Sequence, residues 1–291
     1  MLEENKIHCG DCMELMQHIP DKIVDMILCD LPYGTTACEW DKVLPLDKLW
    51  KQYERIIKDN GVIVLFSSQP FTSKLIMSNL KLFKYEWIWE KGIASGVGHT
   101  KNMPLKKHEN ICIFSKGSIG HENLIGTNRM VYNPQNVLSP KRKITSSIST
   151  KKSEHKTFRK CTIDGTPYKG SNYPKSVLHI TNASNKDRGL HPTQKPLKLF
   201  RYLIKTYTQD GELVLDNCIG SGTTAVACKQ ANRRFIGIEI NQEYVDIANR
   251  RLKQKTVSDF NPVEQESLII VKREISAEIS PNSKPTVSNF A

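Results

Sequence analysis

Glu212-Leu213-Val214-Leu215-Asp216-Asn217-Cys218-Ile219-Gly220-Ser221-Gly222-Thr223-Thr224 opens as a short apolar run, breaks at two glycines and resumes with residues suited to a helix. A buried strand, a tight turn and a helix from about Thr223 follow from that order. The next apolar run, Phe235-Ile236-Gly237-Ile238, ends on Glu239, 19 residues after Gly220. Strand, glycine loop, helix and a second strand closed by a carboxylate suit the adenosine part of a cofactor. The glycines let backbone pass close to the ligand, and the carboxylate can accept both ribose hydroxyls. Gly220-x-Gly222-x-x-Ala225 also meets the looser dinucleotide fingerprint, which keeps NAD as a rival. Two features favour S-adenosylmethionine: Asp216 ends the first strand, where a carboxylate can pair with an ammonium, and no dehydrogenase constellation accompanies the loop.

Upstream of this unit, Leu197, Phe200, Arg201, Leu203 and Ile204 recur at helical spacing, and downstream a last amphipathic helix carries Tyr244, Val245, Ile247, Ala248 and Leu252. In the N-terminal half, Ile23-Val24-Asp25-Met26-Ile27-Leu28-Cys29 reads as a buried strand ending at Asp30, and Val62 to Phe66 as another. Between them a helix bears Leu49, Trp50, Tyr53, Ile56 and Ile57, with Asp47 as N-cap and Asn60-Gly61 as a left-handed stop. A helix after Pro70 carries Phe71, Leu75, Ile76 and Leu80 on one side, followed by strands around Tyr85-Trp89 and Ile111-Phe114. Alternating strands and helices predict an α/β fold with a parallel or mixed sheet.

The strand ending at Cys29 runs straight into Asp30-Leu31-Pro32-Tyr33-Gly34, so this segment falls at the carboxyl edge of the sheet, where open α/β folds bind ligands. Its chemistry suits an exocyclic amine. The lone pair of adenine N6 is delocalised into the ring, and the nitrogen gains positive charge as it attacks a sulfonium methyl. The Asp30 carboxylate and the Leu31 carbonyl, each accepting one N–H, favour a tetrahedral nitrogen and stabilise that charge. Asp30 is then an electrostatic clamp, while Tyr33 offers a ring face to a base flipped out of a duplex. A sulfonium leaving group needs no Lewis acid, so no metal is expected.

The chain has 291 residues, 38% of them hydrophobic, enough for one large α/β domain with an insertion or for two small domains. Its net charge is +12, and residues 116–188 hold fourteen Lys and Arg against four acids, so +10 of that charge lies in one stretch. The stretch is rich in Pro, Ser, Thr and Asn and lacks a long apolar period. It reads as a loop-rich arm contacting phosphates through Lys141, Arg142, Lys143, Lys151 and Lys152. Eight cysteines without a secretory signal argue against a disulfide framework, and Cys9-x-x-Cys12 lacks a second pair to complete a zinc site. No apolar run approaches the ~18–20 residues that span a bilayer, and a cytoplasmic location is expected. Residues beyond 255 form a polar tail with one candidate strand, Ser267 to Val271. Trp87 and Trp89 read as core, and Trp40, in the loop after the catalytic segment, as a substrate contact.

Asp30-Leu31-Pro32-Tyr33 resembles the D-P-P-Y motif of DNA amino-methyltransferases, and Asp216 to Thr224 resembles their D-P-F-x-G-S-G-T-T cofactor loop. His191-Pro192-Thr193-Gln194-Lys195-Pro196 is similar to the H-P-x-x-K-P segment preceding that loop, and Gly10-Asp11-Cys12 to a turn before the catalytic strand. Catalytic motif first, basic region next and cofactor loop last is the permuted order of the β class, and the resemblance covers about residues 5–255.

The resemblance implies a Rossmann-like methyltransferase sheet divided into a catalytic half (1–115), a target-recognition insertion (116–188), a cofactor-binding half (189–255) and the tail. It implies S-adenosylmethionine as donor and a base amine of double-stranded DNA as acceptor. The amine site falls on Asp30, Leu31, Pro32 and Tyr33. The cofactor falls on Asp216, Cys218, Gly220, Ser221, Gly222, Thr223 and Glu239, with His191 and Lys195 near its methionine carboxylate and Asp11 in the same pocket. Leu31 departs from the family's first proline, but its part uses only the main-chain carbonyl, and Pro32 still holds it extended. Cys218 departs from the usual aromatic and removes a packing surface beside the cofactor. Asp30 favours adenine, since cytosine-N4 members usually carry serine there. Cytosine N4, RNA or a protein amide as acceptor, and a binding module without transfer activity, stand as alternatives. A homodimer and a partner restriction endonuclease are left open.

Overall fold

A computed structural model describes residues 1–34, 41–120, 128–135, 173–181 and 195–253. Eight strands make one sheet: β1 (Lys6–Cys9), β2 (Val24–Cys29), β3 (Ile57–Ser67), β4 (Phe83–Ser95), β5 (Lys106–Ser115), β6 (Val177–His179), β7 (Leu213–Asp216) and β8 (Arg234–Glu239). Their order is β1-β8-β7-β2-β3-β5-β4-β6. Neighbours from β1 to β3 are parallel, β5 is antiparallel to both β3 and β4, and β6 is parallel to β4. The mixed α/β sheet is as expected, and β5 is its one reversed strand among the described residues.

The central strands are apolar on both faces because both faces are covered. Met26, Leu28, Val62, Val64 and Phe66 face one layer, where α4 (Leu197–Tyr207), α5 (Thr223–Gln230) and α6 (Gln242–Lys253) contribute Leu203, Ala227 and Ala248. The intervening Ile27, Cys29, Ile63 and Leu65 face the other, where α1 (Cys12–Leu15), α2 (Leu46–Ile56) and α3 (Phe71–Ser78) contribute Cys12, Leu49 and Leu75. Each of the Val, Leu, Ile, Met and Phe side chains among these, once fully buried, is worth roughly 1.5–3 kcal/mol. Trp87 and Trp89 are buried on β4, as expected of core residues.

Local details differ from expectation. α2 begins at Leu46 after Pro45, with no side-chain cap; Asp47 sits inside the first turn, where its charge still suits the helix dipole. Asn60-Gly61 does not stop that helix, which ends at Ile56, and instead lies within β3. The glycine is needed there for closeness, since a Cβ would stand 2.8 Å from the Asp25 carbonyl oxygen on β2. Leu80 lies beyond the end of α3 and is exposed.

Parts of the basic 116–188 stretch belong to the sheet. β6 pairs with β4, Met130 and Leu178 join the core, and the Asn133 amide donates to the Thr206 carbonyl at 2.7 Å. The candidate strand at 267–271 and the tail lie outside the described residues. Among the described residues no helix is long and apolar enough to cross a membrane.

Tyr207 joins α4 to β4: its hydroxyl accepts from Trp87 Nε1 at 2.6 Å and lies 3.0 Å from the Tyr85 hydroxyl. Tyr207→Phe strands a buried indole N–H, so urea unfolding should lose about 1–3 kcal/mol with an unchanged m value. An unaltered midpoint would mean that the indole finds another acceptor.

Candidate active site

β2 and β7 are parallel neighbours, and from them the chain departs in opposite directions, to β3 on one side and to β8 on the other. A crevice opens at the carboxyl ends of strands where the order reverses in this way. Asp30 follows the last residue of β2 and Asp216 is the last of β7, so the two expected motifs meet at one edge. They are close enough for the Asp30 charge to contribute to the raised pKa of Asp216.

Around Asp30, the Tyr33 hydroxyl donates to Oδ1 at 2.7 Å and the Lys195 ammonium to Oδ2 at 2.5 Å. Burial, then the Asp30 charge, push the Tyr33 phenol well above its ordinary range. Its ring stacks on Phe71, with centroids 5.3 Å apart, which fixes the plane. Leu31 is buried and Gly34 turns the chain at φ 68°, its amide donating to Asp41 Oδ1 at 2.9 Å.

Lys195 enters from the residues just before α4 and is only 8% exposed. Besides Asp30 it meets Glu109 Oε2 at 3.3 Å, and it lies 5.0 Å from the centroid of the Phe66 ring and 5.8 Å from that of Tyr33. Burial would lower its pKa, but the Asp30 and Glu109 carboxylates outweigh burial and raise it, so the side chain is a cation. The geometry is a socket for positively charged nitrogen, lined by two carboxylates and two aromatic rings.

The glycine loop is held from within. Asp216 Oδ1 accepts from the Cys218 amide at 3.1 Å and Oδ2 from the Thr224 hydroxyl. Burial drives this carboxyl up to about 7 against those two hydrogen bonds. Asn217 Oδ1 accepts from the Tyr53 hydroxyl at 2.5 Å, and Asn217 Nδ2 lies 3.6 Å from both Cys12 Sγ and Cys218 Sγ. Glu239 ends β8 as expected, and its carboxylate accepts from the amides of Gly220 at 2.8 Å and Asn241 at 3.0 Å. Gly222 has φ 82°, and a Cβ there would stand 2.6 Å from that of Ala248, which lets α6 press against the loop. Ser221 and Thr223 are buried, and Ser221 Oγ accepts from Arg251 at 3.0 Å. Asp11 caps α1 by accepting from the Met13 amide at 2.6 Å, and the Gly10 amide donates to the Glu239 carbonyl at 2.9 Å. This sets the Asp11 turn beside the end of β8.

Asp30, Tyr33 and Lys195 thus share one cluster, and Asp216, Cys218, Gly220, Ser221, Gly222, Thr223 and Glu239 one loop and its adjoining strand end. His191, Trp40, Lys141, Arg142, Lys143, Lys151 and Lys152 lie outside the described residues. Sequence reasoning missed Glu109, Phe66 and Phe71 as site residues and took Tyr53 for a purely apolar helix position. The signal for Glu109 was faint: an acid among Lys106, Lys107 and His108 ahead of an apolar strand.

A family model described as DNA methylase matches residues 24–250. The Type II methyltransferase M.HpaI of Haemophilus parainfluenzae is 28% identical over 273 residues, covering 89% of this chain and 76% of that one. The DNA adenine methyltransferase YhdJ of Escherichia coli K12 is 26% identical over 302 residues, 97% and 92% of the two chains. Among solved structures, the PvuII DNA methyltransferase, described as cytosine-N4-specific, superposes with a TM-score of 0.61 at 16% identity, covering 92% of this chain and 91% of that one.

The raised carboxyl of Asp216 has a stability consequence. Its folded pKa of about 7 exceeds the ordinary 3.8, so the folded chain holds the proton more tightly than the unfolded one. The associated stability is present below about pH 4 and is lost as pH rises through about 7. Guanidinium unfolding of Asp216→Asn should therefore gain on the parent across that window, by at most about 1.4 kcal/mol per pH unit, and level off above it. Parallel pH profiles would mean that Asp216 does not titrate there.

Proposed function

From the premise that this chain belongs to the N6/N4 family of DNA methylases, we propose that it transfers a methyl group from S-adenosylmethionine to adenine N6 in duplex DNA. The observation that carries this reading is the nitrogen-cation socket: Asp30 and Glu109 facing Lys195 over the Tyr33 and Phe66 rings. A site that stabilises an ammonium also stabilises an amine that becomes cationic in the transition state.

S-adenosylmethionine, when bound, supplies an electrophilic methyl on a sulfonium. The residues present fit it. Glu239 sits at the end of β8 with its carboxylate held by two backbone amides, and its remaining acceptor capacity suits ribose hydroxyls. Asp216 is a buried acid whose ionised form an ammonium partner would favour. Asp11, Cys218, Gly220, Ser221, Gly222 and Thr223 belong to the same reading as cofactor neighbours. At the acceptor side, Asp30 takes one N6–H and the Leu31 carbonyl the other, which draws the lone pair out of ring conjugation. The Tyr33 ring, braced by Phe71, offers its surface to a flipped base. Asp30 rather than serine supports adenine over cytosine N4.

His191 belongs to the same reading as a cofactor neighbour. Lys141, Arg142, Lys143, Lys151 and Lys152 belong to it as phosphate contacts of the recognition segment. The Type II designation of M.HpaI supports a role beside a restriction endonuclease.

Purified protein incubated with unmethylated duplex DNA and isotopically labelled S-adenosylmethionine should yield labelled N6-methyladenine on nucleoside digestion and mass spectrometry. Labelled N4-methylcytosine would overturn the choice of base, and no labelled base would overturn the acceptor altogether. Asp30→Ala should reduce transfer on the order of 10²–10³-fold while cofactor binding persists.

Joint replacement of Lys141, Arg142 and Lys143 should flatten the salt dependence of DNA binding, by roughly one log–log unit per lost phosphate contact. An unchanged slope would return that run to solvated surface.

A further inference from the structure

Both oxygens of Asp30 are already engaged, Oδ1 by the Tyr33 hydroxyl and Oδ2 by Lys195. An incoming amine therefore meets a clamp that another nitrogen fills. Lys195 cannot withdraw into apolar surroundings, because a buried ammonium without a carboxylate is strongly disfavoured. A second anchor lies within its reach. Glu109, at the start of β5, points Oε2 toward Lys195 Nζ at 3.3 Å. That oxygen is sealed from solvent and has no well-formed hydrogen bond, so the Lys195 ammonium is the cation placed to satisfy it. The other oxygen, Oε1, is tied to Lys91 on β4 at 3.2 Å, which holds the carboxylate in place.

Resting on the amine-transfer reading above, we infer that Glu109 is a positioning residue of the reaction: it takes the Lys195 ammonium over from Asp30 when the substrate amine enters. The handover needs a short shift of one nitrogen between two carboxylates, and the net charge of the cluster does not change. The Phe66 and Tyr33 rings lie within cation–π reach of the ammonium, Phe66 the closer, and give it a favourable setting beside its carboxylate partners. Lys195, which the resemblance set near the cofactor's methionine carboxylate, is here ion-paired with two carboxylates of the chain itself. Glu109 keeps the Lys195 ammonium paired with a carboxylate whether or not a substrate amine occupies Asp30.

A double-mutant cycle on methyl transfer to unmethylated duplex DNA tests this. Glu109→Gln leaves Lys195 no second anchor. The apparent KM for DNA should rise about tenfold with a smaller change in kcat and an unchanged Kd for S-adenosylmethionine, a coupling typical of residues in one ion-pair network. In a Lys195→Met background the same substitution should cost nothing further, because there is no ammonium to hand over. Glu109→Asp, which keeps the carboxylate, should recover most of the loss, and it replaces Glu109→Gln in the cycle if the latter does not fold. Equal losses in both backgrounds, or no loss in the parent, would overturn the handover while leaving the transfer reading intact. Absence of any labelled base with the unaltered chain would overturn that reading and the handover with it.

Discussion

Two carboxylates, Asp30 and Asp216, are delivered to one edge of an apolar sheet because β2 and β7 lie side by side and their chains diverge. Removing two like charges from water at such close quarters is unfavourable unless each finds its own compensation. The two solve the problem differently. Asp30 recruits an ammonium, whereas Asp216 relies on an amide and a hydroxyl and is left with a carboxyl near neutrality. The Asp30 carboxylate thus has a cationic partner within the chain, whereas Asp216 is held by neutral donors alone.

The remaining architecture serves that edge. Gly222 lets α6 reach the glycine loop, Tyr53 reaches across from α2 to hold Asn217, and Phe71 sets the plane of Tyr33. The partners that brace the motifs, Ala248 on α6, Tyr53 and Phe71, all come from outside them. They explain why motifs that meet at a strand edge become a site only inside a sheet covered on both faces.

The sheet and the two motifs were legible because parallel buried strands leave continuous apolar runs, and the ligand edge follows directly after them in the chain. β7, the glycine loop and Glu239 could be read within a single stretch. Glu109 was hidden for the opposite reason. β5 runs against its neighbours, so it brings its beginning to the reaction edge, and a search that looks just after each strand passes it by. Asn60-Gly61 misled because the pair has the chemistry of a helix stop, while the actual constraint on Gly61 is contact with another strand's carbonyl. Tyr53 fits an amphipathic pattern equally well as a ring or as a ring with a hydroxyl. Periodicity does not register the oxygen.

The basic segment between the motifs is moored at both ends. On one side Asn133 and Gln135 are tied to carbonyls at the end of α4, and on the other β6 is laced along β4. For a chain closed between fixed posts, each doubling of length adds only about 0.6 kcal/mol of closure entropy. The sheet is therefore thermodynamically almost indifferent to how many residues run between those posts, so the length of that stretch can change at little cost to the fold.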